Sequence, residues 1–119
     1  MDTDVITETE FHQYVAALER TGFFGPNSWY MNQERNLAFA ARAVNNGKLD
    51  LPVLFLHAEY DFTCETVDSR LAEPMRQDCS DLIEVVVNSG HWMAQEQPVA
   101  VNAALAKWLA KKLPEYWKA

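Results

Sequence analysis

Two short runs along the chain are almost wholly apolar: LPVLFLHA, Leu51–Ala58, and DLIEVVV, Asp81–Val87. Both are too short for a core helix and are rich in β-branched residues. They read as strands, and the near-continuous apolar character of the first suits a parallel sheet covered on both faces. Elsewhere the apolar positions recur at helical spacing. Phe11, Tyr14, Val15 and Leu18 make one stripe, which Thr7 and Glu10 open as a capping box and Gly22 closes. TGFFGPNSWYMN reads as a turn-rich join. Ser28 is expected to cap a second helix reaching about Val44, with Leu37, Ala40, Ala41 and Val44 on one face and Asn45-Asn46-Gly47 as its stop. Thr66 to about Arg76 predicts a helix interrupted by Pro74. Pro98 suits the first turn of a last helix, whose stripe is Leu105, Trp108 and Leu109.

The order is helix, helix, strand, helix, strand, helix. Its second half is a βαβα unit, for which a parallel strand pair with a right-handed crossover is expected. The class is therefore α/β. No repeats or low-complexity segments interrupt it.

A length of 119 residues allows one small domain, and 49% hydrophobic residues exclude disorder by composition. The net charge of -7 and the lack of a basic patch argue against nucleic acid. Lys107, Lys111, Lys112 and Lys118 sit where cations suit a helix end. No apolar run approaches the roughly 20 residues of a membrane span, and the polar start MDTDVITETE is no secretory signal. Cys64 and Cys79 have no metal spacing. They could pair, but they read as free thiols in a reducing compartment, which makes a cytoplasmic location the expectation.

The chemistry gathers where the strands end. Asp61 follows the first and His91 the second, so both side chains fall at the carboxyl edge of a parallel sheet, where ligands bind. An acid followed by a histidine is the tail of the nucleophile–acid–histidine order of α/β hydrolases, and Gly90 lets the backbone turn beside the site. Blander readings stand beside this one. Asp61 could cap a helix or reach solvent, and Tyr30 alone would be an ordinary surface or core residue. His57, Glu59 and Asp61 alternate like metal ligands, but no further ligand follows them. His12 reads as solvated, and Phe23, Phe24, Trp108 and Trp117 as core or interface.

PNSWYMNQERN, LPVLFLHAEYDF and SGHWMAQEQPVAVNAALAKWL together resemble the C-terminal portion of soluble epoxide hydrolases, over roughly Phe11 to Leu113. The resemblance implies a partial α/β-hydrolase fold. Residues 1–46 would be the end of the helical cap and the return to the core. Residues 47–119 would hold the last two parallel strands and helices of that core. It further implies Asp61 as triad acid and His91 as the base that activates water. Tyr30 would be one of two cap tyrosines that hydrogen-bond the epoxide oxygen, with Trp29 packed beside it and Trp92 lining or supporting the pocket. A small-molecule epoxide is the implied substrate of the full-length parent, with no metal and no cofactor. A related dehalogenase or esterase parent shares the Asp–His tail but is not expected to carry the tyrosine.

Half of the machinery has no counterpart in these residues. Gly22, Gly25, Gly47 and Gly90 offer no pair at the spacing of a G-x-[SD]-x-G elbow, and none of His12, His57 and His91 is followed by glycine as an H-G-x-P oxyanion loop requires. The sequence therefore reads as a fragment lacking the nucleophile. The alternative is a catalytically inactive module that binds the N-terminal portion or a second copy through the open edge of its first strand.

Overall fold

The computed structural model describes residues 2–117, the side chain of Trp117 excepted. Lys118 and the Trp117 ring, expected at a helix end and in a core or interface, lie outside the described residues. The chain forms two compact units, Met1–Gly47 and Lys48–Ala119.

The first unit is helical. α1 (Glu8–Thr21) starts at the expected reciprocal cap: Thr7 Oγ1 accepts from the Glu10 amide, and the Glu10 carboxylate accepts from the Thr7 amide at 2.9 Å. Gly22 ends it at φ 66°, where a side chain would be strained. Thr7→Ala removes the cap and is expected to cost about 1 kcal/mol. Circular dichroism in a thermal melt would register this as lost helicity.

Beyond α1 the structure corrects the expectation. The supposed join is α2 (Phe24–Met31), and a separate helix, α3 (Gln33–Ala40), follows. Pro26 is tolerated because it stands in the first turn, where amides have no intrahelical acceptor. Ser28 caps nothing: it lies inside α2 and its hydroxyl donates back to the Phe24 carbonyl at 2.6 Å. The break between helices belongs to Asn32. Its side-chain amide takes the Ser28 carbonyl at 2.8 Å, while its own backbone N–H turns to Trp29. Val44 falls in a 3-10 turn (Val44–Gly47), in which Asn45, Asn46 and Gly47 all adopt positive φ. Phe23 and Phe24 are not core residues, being 61% and 86% exposed.

The second unit is a parallel pair, β1 (Leu49–Ala58) and β2 (Cys79–Val87), with Leu54 opposite Ile83 and Ala58 opposite Val87. Only these two strands occur among the described residues, so the first strand is half-buried rather than covered on both sides. The predicted helix over residues 66–76 shrinks to a 3-10 turn (Arg70–Ala72) and α4 (Glu73–Asp78), with Pro74 in the first turn of α4. Glu65 is the cause. Its carboxylate accepts from the amides of Val67, Asp68 and Ser69, holding them in a turn that a helix would have to dissolve. After β2 come α5 (Met93–Glu96), which the pattern did not foretell, and α6 (Pro98–Lys112). α6 lies against both strands, and the Lys112 ammonium near its end grips both carboxylate oxygens of Asp81 at the start of β2. Most of the buried residues lie at the carboxyl ends of the strands, Ala58 and Val87 with His57, Asp61 and Ser89; Ala72 before α4 and Val101 in α6 are buried as well. No helix among the described residues is long and apolar enough to cross a membrane.

Candidate active site

The strand ends are laced together before any side chain is considered. The Glu59 amide donates to the Val87 carbonyl and the Tyr60 amide to the Ser89 carbonyl, each at 2.9 Å, so the loop after β1 continues the pairing into the loop after β2. This brings Asp61 and His91 to one rim. His91 Nδ1 lies 2.8 Å from Asp61 Oδ2. The other carboxylate oxygen, Oδ1, accepts from the amides of Thr63 and Cys64, both at 3.0 Å.

Those bonds hold the Asp61 carboxyl below its ordinary range. The Cys64 amide contributes most and the His91 bond next, against an opposing effect of burial. Asp61 is therefore an ionised acceptor at neutral pH. An ionised carboxylate can only accept, so the hydrogen between the two side chains sits on His91 Nδ1, and Nε2 is left to take a proton. The burial is uneven in a useful way: the Asp61 side chain is 10% exposed and that of His91 47%, a covered acid behind an accessible imidazole.

Trp92 stands edge-on to His91, with ring centroids 5.2 Å apart and planes at 84°, and is itself largely exposed. Trp29 and Tyr30 belong to the first unit. There they line a hollow of about 480 Å³ with Gln33, Asn36, Leu37 and Ala40, and both are exposed.

His57, Glu59 and Asp61 do not form the alternating ligand set. His57 turns to Thr66 and Glu84, Glu59 is exposed, and Asp61 turns to His91. The donor atoms that do converge belong to Asp61, Cys64 and His91, all within 4.8 Å of one another. In the geometry observed, both Asp61 oxygens are already engaged in hydrogen bonds within the chain. Cys64 and Cys79 are free thiols.

Sequence reasoning overlooked Glu96. Its carboxylate accepts from the Gly90 amide at 2.6 Å and the Trp92 amide at 3.1 Å, one on each side of His91. An acid four residues after Trp92, within one helical turn, was the available signal. The reason for glycine at position 90 also changes. Its φ is not positive; instead, a Cβ there would lie 3.0 Å from one Glu96 carboxylate oxygen and 3.2 Å from the other. A side chain at position 90 would need the Glu96 carboxylate to shift by a few tenths of an ångström.

The architecture is of the α/β class, with an acid–histidine pair at the carboxyl edge of a parallel sheet. Comparison with known proteins narrows the class. The chain is 31% identical over 114 residues to bifunctional epoxide hydrolase 2 of Rattus norvegicus, a match covering 92% of this chain and 19% of that protein. To the Mus musculus protein of the same name it is 32% identical over 113 residues, 88% of this chain and 18% of the relative. To epoxide hydrolase A of Mycobacterium tuberculosis it is 31% identical over 105 residues, 87% and 32% respectively. No family model matches the chain. The resemblance is thus to the C-terminal portion of epoxide hydrolases, and the chain spans about a fifth of the rodent relatives and about a third of the mycobacterial one.

Proposed function

We propose that this chain is the C-terminal portion of an α/β-hydrolase fold and supplies the acid and base for opening epoxides to vicinal diols. The observation that carries the reading is the 2.8 Å bond between His91 Nδ1 and Asp61 Oδ2 at the ends of two paired parallel strands. The bond supplies the base step, and the similarity to epoxide hydrolases supports the rest of the reaction. An aspartate nucleophile attacks an epoxide carbon and forms a hydroxyalkyl ester. His91 Nε2 then removes a proton from water, Asp61 stabilises the imidazolium, and the hydroxide so formed cleaves the ester. The nucleophile and the oxyanion donors come from polypeptide other than these residues, since no glycine pair here has the elbow's spacing. Tyr30 donates to the epoxide oxygen, which leaves as an alkoxide and needs a proton or a strong donor at neutral pH. Trp92, beside His91, contributes apolar surface to the substrate pocket, and Trp29 packs beside Tyr30. The reading requires no metal or cofactor.

The test is diol formation from a styrene-type epoxide by the chain alone and by the chain fused behind the N-terminal portion of a mycobacterial relative. No turnover is expected from the chain alone, and turnover is expected from the fusion. In the fusion, Tyr30→Phe is expected to slow opening by about 10²-fold, the effect of losing one donor to a developing oxyanion. A folded but inert fusion would defeat the proposal, and so would unaided turnover by the chain.

A second reading rests on a separate observation. β1 and β2 each have one neighbour only among the described residues, so each leaves a row of backbone groups at an open edge. On that reading the chain is an inactive module that associates with a second copy or with an N-terminal portion. Sedimentation as a monomer at high concentration, together with an active fusion, would exclude it.

A further inference from the structure

As the proposed base, a role on which this inference rests, His91 needs something to aim its ring. The side chain is nearly half exposed, so packing does little to hold it. The Trp92 ring touches it edge-on, a contact worth little in solvent.

The amides on either side of it are held more firmly, both by one carboxylate. Glu96 Oε2 accepts from the Gly90 amide and Glu96 Oε1 from the Trp92 amide, so one carboxylate fastens the peptide groups that bracket His91. Bonds to an ionised acceptor are the stronger kind, and each oxygen here serves one donor. Glu96 is itself anchored. Its amide donates to the Trp92 carbonyl at 2.9 Å, the next amide donates to Met93 at 2.8 Å, and α6 starts directly afterwards at Pro98. The clamp therefore ties the histidine loop to the helix that lies against both strands. Gly90 is part of the same device, because any Cβ at that position would press on both Glu96 oxygens.

We infer that Glu96 is a positioning residue for His91: its carboxylate, seated against Gly90, fixes the backbone from which the imidazole reaches Asp61. Glu96 exchanges no proton with substrate and acts only through His91.

The experiment is nuclear magnetic resonance on the full 119-residue chain carrying Glu96→Gln, Glu96→Ala, Gly90→Ala or Asp61→Asn. Hydrogen exchange at the Trp92 amide should accelerate on the order of ten- to hundred-fold in Glu96→Ala, the size expected from losing a bond to a charged acceptor. Glu96→Gln, which keeps one acceptor oxygen, should fall between. The discriminating readout is the Asp61 carboxyl titration. His91 is one of the groups that hold it down, so a loosened His91 moves it up. Loss of a neighbouring negative charge alone would move it down, and a merely structural turn would leave it in place. Gly90→Ala should reproduce the upward move with the Glu96 charge still present.

An Asp61 titration that stays or falls in both Glu96→Ala and Gly90→Ala overturns the inference. Asp61→Asn separates the two ideas. If it alters the His91 imidazole signals while the Glu96 variants do not alter Asp61, only the positioning role fails. If Asp61→Asn leaves His91 unchanged, the acid–base pair itself fails. Loss of the dispersed β1–β2 amide signals would mark an unfolded variant, and the isosteric Glu96→Gln then carries the test.

Discussion

Replacing His91 by glutamine in the fused enzyme is expected to trap the reaction half-way. The alkylation step needs no base, so the epoxide should still open and label the nucleophilic aspartate once. Release of that ester needs a hydroxide made on the spot. Removing a positioned general base costs about 10²–10⁴-fold. Mass spectrometry should therefore show the protein heavier by one epoxide while diol formation nearly stops. Asp61→Asn keeps the shape but presents a neutral partner to His91 Nδ1. The loss in comparable triads is on the order of 10⁴-fold, because the tautomer is no longer fixed and the imidazolium no longer stabilised. The two substitutions made together should cost little more than the worse of them, since the two groups act as one unit. Diol release at the unaltered rate in either variant would remove His91 and Asp61 from the chemistry.

The parts of the molecule that were legible in the sequence are those where one physical effect dominates. The two apolar runs became β1 and β2 in parallel register, because short runs with that burial have few alternatives. The Thr7–Glu10 box and Pro98 marked helix starts by local hydrogen bonding and steric preference alone. Reading failed where a side chain competes with the backbone for its own partners. Glu65 captures three amides and stalls the helix after β1. Asn32 takes a carbonyl and splits one expected helix into α2 and α3. Neither effect has a period, so neither shows in a pattern of apolar positions.

The site divides along the same line. Asp61 and His91 could be found because strand ends deliver them to a common edge whatever the loops do. Their contact depends on the loops as well, and on the pairing of Tyr60 with Ser89. Glu96 was invisible because its partners are main-chain amides, which every residue but proline possesses. The Gly90 φ is not positive, and what distinguishes the position is the Glu96 carboxylate lying against it. A glycine beside a candidate catalytic residue is thus as much a statement about its neighbour as about its own backbone.

On the side of the sheet holding the Glu84 carboxylate, a second polar group governs stability rather than chemistry, and Glu84→Ala should expose it. His57 is 3% exposed, with Nε2 at 2.9 Å from Glu84 Oε1 and Nδ1 at 2.9 Å from Thr66 Oγ1. Arg76 reaches the same Oε1 from α4, at 2.8 Å through Nε. Truncating Glu84 strands a buried imidazole N–H, at a cost of about 1–3 kcal/mol. In a unit this small that is a large share of the total stability, and the urea midpoint should fall by about 1 M or more. Glu84→Gln retains Oε1 for both donors and should fall less, losing mainly the attraction to Arg76. The pH dependence has a definite sign. Arg76 first, and then His57, hold the folded Glu84 carboxyl below its ordinary 4.5. The charge therefore adds stability at pH values above 4.5, and this is lost as the pH falls through the lower folded value. The gap between the unaltered chain and Glu84→Gln should be widest near neutrality and close in acid. A gap that does not change with pH would mean that Glu84 acts through shape alone, and an unchanged midpoint in Glu84→Ala would mean that His57 finds another acceptor.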